Sequence, residues 1–408
     1  MDNKQKNIVV IPGSYWQIPI VNKIKEMGHK AYVVNPYENS PAFSYAHGHL
    51  QADIFDKEVV TKYCREVGAD GIISEECDIA MPALAQYGET LGLTTLTKED
   101  AHLFTNKFAM RDFCKLHNLP YPEFRMCYTR EDAKTFFLEL RKKMIMKPLD
   151  SNSSRGVFII ESESDIDEFF DEALSYSRSH KAILLERFIE GIEFTIDGIK
   201  TPDRHYSLAI SEKKHFKHNK SIASELYFTH ENNKFDYELL RRTNDSFVDL
   251  SGLKFGLTHA EYKYEDGVFY LIEIAARGGG NRISSDIVPF MSGIDNYEYL
   301  IHCHLGNIGR KDFSVCPEFR KRAAVLKFFE TPKNGGVVKE IKGEQLLSQN
   351  PVIKAYAFNF KVGDAIEPAK NDAARVGYYI ACCENENELK IVMDSIEAGV
   401  EIVLQEEN

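Results

Sequence analysis

Tyr270-Leu-Ile-Glu-Ile-Ala-Ala-Arg-Gly-Gly-Gly280 is the stretch on which the reading of this chain turns. An apolar run delivers Glu273 and then, four residues on, Arg277 and three glycines. A second carboxylate, Glu261, lies twelve residues before Glu273, in another strand-like run that ends at Asp266-Gly267. Asp-Gly between two such runs signals a tight hairpin, so the strands are expected to pair and bring both carboxylates together. Paired carboxylates without neighbouring thiolates suit a hard cation such as Mg²⁺, which prefers oxygen ligands and shares them with nucleotide phosphates. Arg277 adds a planar fork for a carboxylate or phosphate.

Working outward, 408 residues exceed one ordinary core, so two or three domains are expected. With 43% hydrophobic and 27% charged residues the composition is that of a globular protein. Its 50 basic and 62 acidic residues give a formal charge of −12, which disfavours nonspecific binding to nucleic acid or anionic membrane. No apolar run approaches the roughly 20 residues of a bilayer span, and the N-terminus lacks a signal-peptide pattern. Eight cysteines without a CxxC pair read as free thiols, which points to a reducing cytoplasm.

Residues 7–100 alternate strand and helix signals. Strands are expected at Ile8–Ile11, Ala31–Val34 and Gly71–Ser74, with helices at Pro19–Met27 and Lys57–Val67. That alternation implies a parallel, doubly wound sheet whose ligands sit beyond the C-terminal ends of its strands. A new unit begins near Leu103, with a helix over Asn106–His117, strands at Met144–Lys147 and Val157–Glu161, and a helix over Asp165–Ser179. Strands follow at Ala182–Leu185 and Glu193–Ile199. Strand signals dominate from about 205 to 275, and a mixed segment with a helix at Glu386–Glu397 closes the chain.

Lys147 stands where a strand meets the loop Pro148-Leu-Asp-Ser-Asn-Ser-Ser-Arg-Gly156. Small residues let backbone N–H groups approach phosphate oxygens, and Ser151, Ser153, Ser154 and Arg155 add donors. It is not a Walker A loop, and the alternative is a plain hairpin loop with a solvated lysine. Glu186-Arg-Phe-Ile-Glu-Gly-Ile-Glu193 joins two strands through a glycine turn. Such a linker either presents backbone groups to a purine edge or is an ordinary acidic turn.

The order of these features resembles the ATP-grasp superfamily, and particularly its carboxylate–amine ligase branch, which includes L-amino acid ligases. The resemblance implies an α/β and α+β multidomain chain. A Rossmann-like preATP-grasp domain would cover residues 1–100, a two-lobed ATP-grasp domain 101–315 with a flexible lid at about 120–190, and an α+β lobe 316–408. Matched motif by motif, Lys107 in Thr-Asn-Lys-Phe-Ala-Met-Arg111 resembles the first nucleotide lysine and Lys147 the second. Ser153, Ser154, Arg155 and Gly156 resemble the loop over the phosphates. Glu186 with the backbone of Phe188 and Ile189 resembles the adenine linker, and Glu193 the ribose carboxylate. Glu261 and Glu273 match the metal ligands. Arg277 matches the residue that steadies an acyl phosphate or substrate carboxylate, with Gly279 and Gly280 beside the substrate. Many family members carry Asn two residues after the second metal glutamate; here Ala275 stands there, as in the amino acid ligase type.

The activity so implied is ATP- and Mg²⁺-dependent ligation, with Mn²⁺ as a substitute ion, of a small carboxylate to an amine, with an amino acid as the expected acceptor. The expected partners are therefore small molecules, and a homodimer is the default assembly. The runners-up are a purine-pathway or carboxyphosphate-forming relative and an ATP-binding module without turnover. His259, two residues before Glu261, is expected on the same strand face, where it either touches substrate or plays a structural part. Lys213-Lys-His-Phe-Lys-His-Asn-Lys220 reads as a solvated basic loop or as part of the site rim. Glu75-Glu-Cys-Asp78 either holds an amine or is an acid-enriched helix start, and Gly13–Gln17 is expected to line the substrate cleft.

Overall fold

In the computed structural model the described residues are 4–151, 155–177, 181–220, 222–332 and 335–405. Strands Asn7–Val10, Lys30–Asn35, Gly48–Gln51 and Gly71–Ile73 form a wholly parallel sheet in the order third, second, first, fourth. The chain direction of winding therefore reverses between the first and fourth strands. The loops that follow those two strands, Gly13–Gln17 and Ser74–Asp78, meet at this switch point, where doubly wound sheets hold ligands. The short strand Gly48–Gln51, with half its residues exposed, was not legible from hydrophobic pattern.

The centre of the molecule is an eight-stranded antiparallel sheet. Its order is Val268–Ala275, Gly256–Glu265, Ile192–Lys200, His205–His215, Ala223–Thr229, Ala323–Phe328, Gly377–Cys383 and Ile353–Phe358. Strands from beyond residue 320 thus extend the same sheet that carries the carboxylates. The expected strand-rich run over 205–275 is interrupted by helix Tyr237–Ser251. Asp236 caps this helix by accepting from the Leu239 amide at 2.9 Å, and Gly252 ends it in the left-handed region.

A separate four-stranded sheet, ordered Phe124–Cys127, Ile183–Arg187, Met144–Pro148, Phe158–Ile160, packs against helices Arg130–Leu140 and Glu163–Ser175. Its own apolar cluster includes Phe136, Met144, Met146, Ile166, Phe170 and Leu185. The expected helix end at Ser179 lies outside the described residues. Strands Ala365–Ile366, Gly336–Lys342 and Glu401–Leu404 make a small third antiparallel sheet, while helix Glu386–Gly399 packs on strands Ala323–Phe328 and Gly377–Cys383 of the central one.

The hairpin at Asp266-Gly267 forms as expected, with both turn residues at positive φ, 50° and 84°. Its register has one irregularity. Glu265 to Tyr262 pair with Val268 to Leu271 in strict order, but Glu261 pairs with Glu273 and Ile272 is skipped. That bulge sets the two carboxylates directly opposite one another, on one face of the sheet.

Candidate functional site

One face of the central sheet carries the polar groups in register. Lys263, Glu193, Lys213, Leu226, Leu326 and Ile380 are successive cross-strand partners over six strands. The neighbouring row begins Glu273, Glu261, Thr195, Ser211. Charge therefore gathers at one end of this face and apolar surface at the other.

Two cavities open along it. The larger, about 900 Å³, lies between the central sheet and the four-stranded sheet and is lined by Lys107, Lys147, Glu186, Phe188, Ile189 and Glu193 among others. The smaller, about 540 Å³, lies toward the N-terminal domain and is lined by Asp78, His259, Arg277, Gly280, Arg375 and Tyr378 among others. Glu261, Glu273 and Lys213 line both cavities.

In the larger cavity Lys107 heads helix Lys107–Leu116, whose first turn is capped by Asn106. Its ammonium donates to Glu273 Oε1 at 2.7 Å and to the Ser151 carbonyl at 2.8 Å. Four residues on, the buried Arg111 donates from Nε to Glu186 Oε2 at 2.7 Å and from Nη2 to the Ile272 carbonyl at 2.8 Å. Lys147 Nζ contacts the other oxygen of Glu186. Glu186, expected with the backbone of Phe188 and Ile189 as the adenine linker, is thus paired with two cations, Arg111 and Lys147. Burial alone would raise Glu186, but Arg111 and then Lys147 hold it down at about 2. Burial draws Lys147 below the ordinary lysine range against the opposing pull of Glu186.

Phe188 donates its amide to the Lys143 carbonyl at 3.0 Å, and the Ile189 carbonyl accepts from Lys263 at 3.2 Å. The Phe188 ring lies under the ammonium groups of Lys263 and Lys143, 4.5 and 4.9 Å from its centroid. Phe188 thus offers the cavity its ring and not its N–H. Arg155 is exposed at the turn before Gly156 and does not line the cavity. A Cβ on Gly156 would stand 2.6 Å from the Tyr176 ring, so that glycine is required by packing and by its φ of 72°. Ser153 and Ser154 lie outside the described residues.

Lys213, read from sequence as the start of a basic loop, is instead on strand His205–His215 with its side chain only 13% exposed. Its ammonium meets Glu193 at 2.5 Å and Glu261 at 3.0 Å, and His215 Nε2 lies 3.4 Å from Glu193. Burial opposes the charge on Lys213, yet Glu193 and then Glu261 raise it above the usual lysine range. The same pairing holds Glu193 well below the usual carboxylate range. The alternation Ser211, Lys213, His215 was the signal available for this placement.

In the smaller cavity Arg277 is held by Asp78 of the N-terminal domain, Nε to Oδ1 at 2.8 Å and Nη2 to Oδ2 at 2.7 Å. Its fork, expected from sequence to receive a substrate carboxylate, is filled by this partner 199 residues away. Glu75 accepts from the Gly278 amide at 3.2 Å, and Gln17 Nε2 donates to the Glu75 carbonyl at 2.6 Å. The segment Glu75–Asp78 therefore clamps the glycine stretch. His259 Nδ1 is 2.9 Å from Asp197 Oδ1, and Gly279 N–H donates to the same oxygen at 3.0 Å. Gly279 is thus a buried support of the His259–Asp197 pair, while Gly280 and Asn281 line the cavity. Asp197 and Arg111 went unassigned in the sequence reading; Arg111 was marked by its i, i+4 spacing from Lys107.

Among the described residues no group of three or more His, Cys, Asp or Glu side chains is arranged around a metal position. Glu261 and Glu273 supply oxygen donors only, face each other in register, and are each met by a lysine ammonium. That donor set fits a hard cation that completes its shell with ligand oxygens and water.

The sequence matches the ATP-grasp domain family over residues 140–286 and the L-amino acid ligase C-terminal domain 2 family over residues 328–405. Among curated proteins, it is 24% identical over 199 residues to a formate-dependent phosphoribosylglycinamide formyltransferase of Prochlorococcus marinus, covering 48% of this chain and 51% of that one. It is 27% identical over 184 residues to the enzyme of the same name from Corynebacterium glutamicum, covering 44% and 45%. The chain spans about half the length of these curated relatives. Among solved structures it resembles an L-amino acid ligase from Bacillus licheniformis, with a TM-score of 0.81, 20% identity, and coverage of 99% and 100%. It also resembles a phosphoribosylglycinamide synthetase from Anaerococcus prevotii, with a TM-score of 0.75, 18% identity, and coverage of 98% and 100%. These likenesses establish the multidomain α/β fold of ATP-grasp proteins.

Proposed function

We propose that this chain, built around an ATP-grasp domain and an L-amino acid ligase C-terminal domain, is an ATP- and Mg²⁺-dependent ligase. It would join a small carboxylate to an amine, that of an amino acid, and release ADP and phosphate. The observation that carries this reading is the shared wall of two cavities: Glu261, Glu273 and Lys213 line both. A nucleotide in the larger cavity and a carboxylate in the smaller one would meet at those three side chains.

The chemistry follows from the poor leaving group of a carboxylate. Its oxygen attacks the γ-phosphorus of ATP, ADP departs, and the resulting acyl phosphate can be attacked at carbon by an amine nitrogen, which expels phosphate and yields its proton to it or to solvent. Lys107, Lys147 and Lys213 would balance charge on the phosphates, the largest demand in phosphoryl transfer. Glu261 and Glu273 would hold Mg²⁺, which supplies Lewis-acid stabilisation of the transferring group. Lys263 and the Phe188 ring would border the purine. Closure by the four-stranded sheet, which carries Lys147, would keep water from the acyl phosphate.

The names of the curated relatives favour a second reading, a phosphoribosyl amine as acceptor. Such a substrate brings a phosphate dianion that needs cations to spare. In the smaller cavity Lys213 meets Glu193 and Glu261, Arg277 meets Asp78, and Arg375 meets Asp372. Every described cation there is already paired with a carboxylate, so either acceptor would have to share these ion pairs, and the match to the L-amino acid ligase C-terminal domain favours the amino acid reading. Phosphate release from Mg-ATP, measured with carboxylates and amines singly and in pairs, tests this: release should need one of each and give a condensed product mass. Glu273→Gln should lower turnover at least 100-fold while the circular dichroism spectrum stays unchanged; undiminished turnover refutes the metal assignment.

A further inference from the structure

The far end of the smaller cavity is not used by the chemistry above. It is lined by Trp16, Leu226, Ile283, Leu326, Phe328 and Tyr378. Leu226, Leu326 and Phe328 sit on the face of the central sheet that bears Glu193 and Lys213, and Tyr378 pairs directly with Phe328. Trp16 comes from the loop after the first strand of the N-terminal domain, and its ring centroid lies 6.1 Å from that of Tyr378. The apolar wall is thus assembled from three separate parts of the chain.

The guanidinium at this end is closed off, and the Glu76 carboxylate that also lines the cavity is pushed well above its ordinary range by burial. The Arg375 guanidinium is stacked on Phe328 at 3.8 Å, donates from Nε to the Ala223 carbonyl at 3.2 Å, and is paired through Nη2 with Asp372. A charged substrate group there would face a neutralised ion pair and greasy rings. An apolar group would exchange water for contact with six large side chains, the favourable case. The cavity volume of about 540 Å³ lies inside the common range for small-molecule sites, about 300–1,000 Å³.

Resting on the ligase reading, we propose that the smaller cavity selects an amino acid with a bulky apolar side chain, leucine- or phenylalanine-like, seated between Trp16, Leu226, Phe328 and Tyr378. The amino acid's polar end then lies toward Glu261, Glu273 and Arg277, and its side chain points away from the nucleotide cavity. Glycine, aspartate and lysine would be discriminated against, the first by missing methylenes, each costing about 10- to 200-fold in kcat/KM, the others by burial of an unmatched charge.

Trp16 is the single tryptophan of the chain, so its fluorescence reports this pocket without any turnover. Leucine and phenylalanine, titrated into the full-length protein, should change that fluorescence saturably at concentrations at least tenfold below those needed for glycine, aspartate or lysine. Phosphate release from Mg-ATP with the same amino acids in all pairs should show the same preference. Trp16→Ala should lower kcat/KM for phenylalanine at least tenfold more than for alanine, and Trp16→Phe should restore most of it. Equal or better response to charged or small amino acids, by either readout, overturns the pocket assignment and leaves the ligase intact. Saturable fluorescence changes with leucine or phenylalanine, but release only with a phosphoribosyl amine or bicarbonate, overturn the amino acid ligase reading and keep the apolar pocket. No fluorescence response to any amino acid overturns the pocket whatever the release assay gives.

Discussion

Glu186→Gln tests the electrostatic logic of the site at its most buried point. In the native protein one carboxylate balances two cations, Arg111 and Lys147, and all three side chains are at most 5% exposed. The carboxylate is held at about 2 against an ordinary value of 4.5, and each unit is worth about 1.4 kcal/mol. Net of the opposing cost of burial, the charged form is therefore favoured by about 3 kcal/mol, the lower end of the 3–5 kcal/mol seen when a buried ion pair loses one member. The glutamine keeps the shape and leaves two cations facing each other.

The strand Ile183–Arg187 that carries Glu186 should then open about 100-fold more often, read as faster amide hydrogen exchange at pH 7. The sign with pH is fixed. Because the folded value lies below the unfolded one, the stabilisation is complete above about pH 4.5 and is lost as pH falls toward 2. Protection of that strand should fall over this interval in the wild type and stay level in the variant. Arg111→Met leaves Lys147 and Glu186 as a neutral pair and deprives Glu186 Oε2 and the Ile272 carbonyl of their Arg111 donors, so it should cost less, about 1–3 kcal/mol. In the double variant the lone Lys147, already lowered by burial, can shed its proton, so the two losses should not add. Exchange accelerated less than tenfold in Glu186→Gln would refute this account of the trio.

Asp78→Asn removes the bidentate partner of Arg277 and should lower kcat/KM for the carboxylate or amine by about 100-fold, the scale of a buried charged pair broken on one side. The KM for ATP should move less than about threefold, since Asp78 lines only the smaller cavity; initial-rate kinetics with each substrate varied separates the two. Within the glycine stretch, a Cβ on Gly278 would stand 2.0 Å from Ser284 Oγ and 2.3 Å from Glu75 Oε1, whereas one on Gly280 meets nothing within 4 Å. Gly278→Ala should therefore destabilise by about 1–3 kcal/mol and Gly280→Ala hardly at all, as seen by thermal unfolding of the two variants side by side.

What could be read without coordinates was local. The strand–helix alternation before residue 100, the helix at Lys107 and the Asp266-Gly267 turn are properties of neighbouring residues, and each is present in the structure. The partners of the charged groups were not legible, because they come from far along the chain. Asp78 meets Arg277, Arg111 meets Glu186 and Lys107 meets Glu273 only after three separate sheets have packed. Lys213 illustrates a different limit. Its segment is polar on both faces, so the period-two pattern of an in-facing apolar strand is missing, and composition alone makes it look solvated. The inward face is polar because it lines a cavity instead of a core.

The carboxylate pair shows how far a correct expectation can still miss its cause. In a hairpin with a two-residue turn and no irregularity, Glu261 would stand opposite Ile272, because Tyr262 stands opposite Leu271. Directly opposed residues share a face, and neighbours along a strand alternate, so Glu273 would then point to the other side of the sheet. The extra residue at Ile272 reverses this by moving the register one step and bringing Glu273 opposite Glu261. It also frees the Ile272 carbonyl from the regular ladder, and that carbonyl is the one Arg111 Nη2 holds at 2.8 Å. A single bulge thus aims Glu273 into the space shared by both cavities and ties that aim to the Arg111–Glu186–Lys147 trio. The geometry of the carboxylates and the placement of Lys147 are in this way one construction, fixed by one backbone irregularity beside the two cavities.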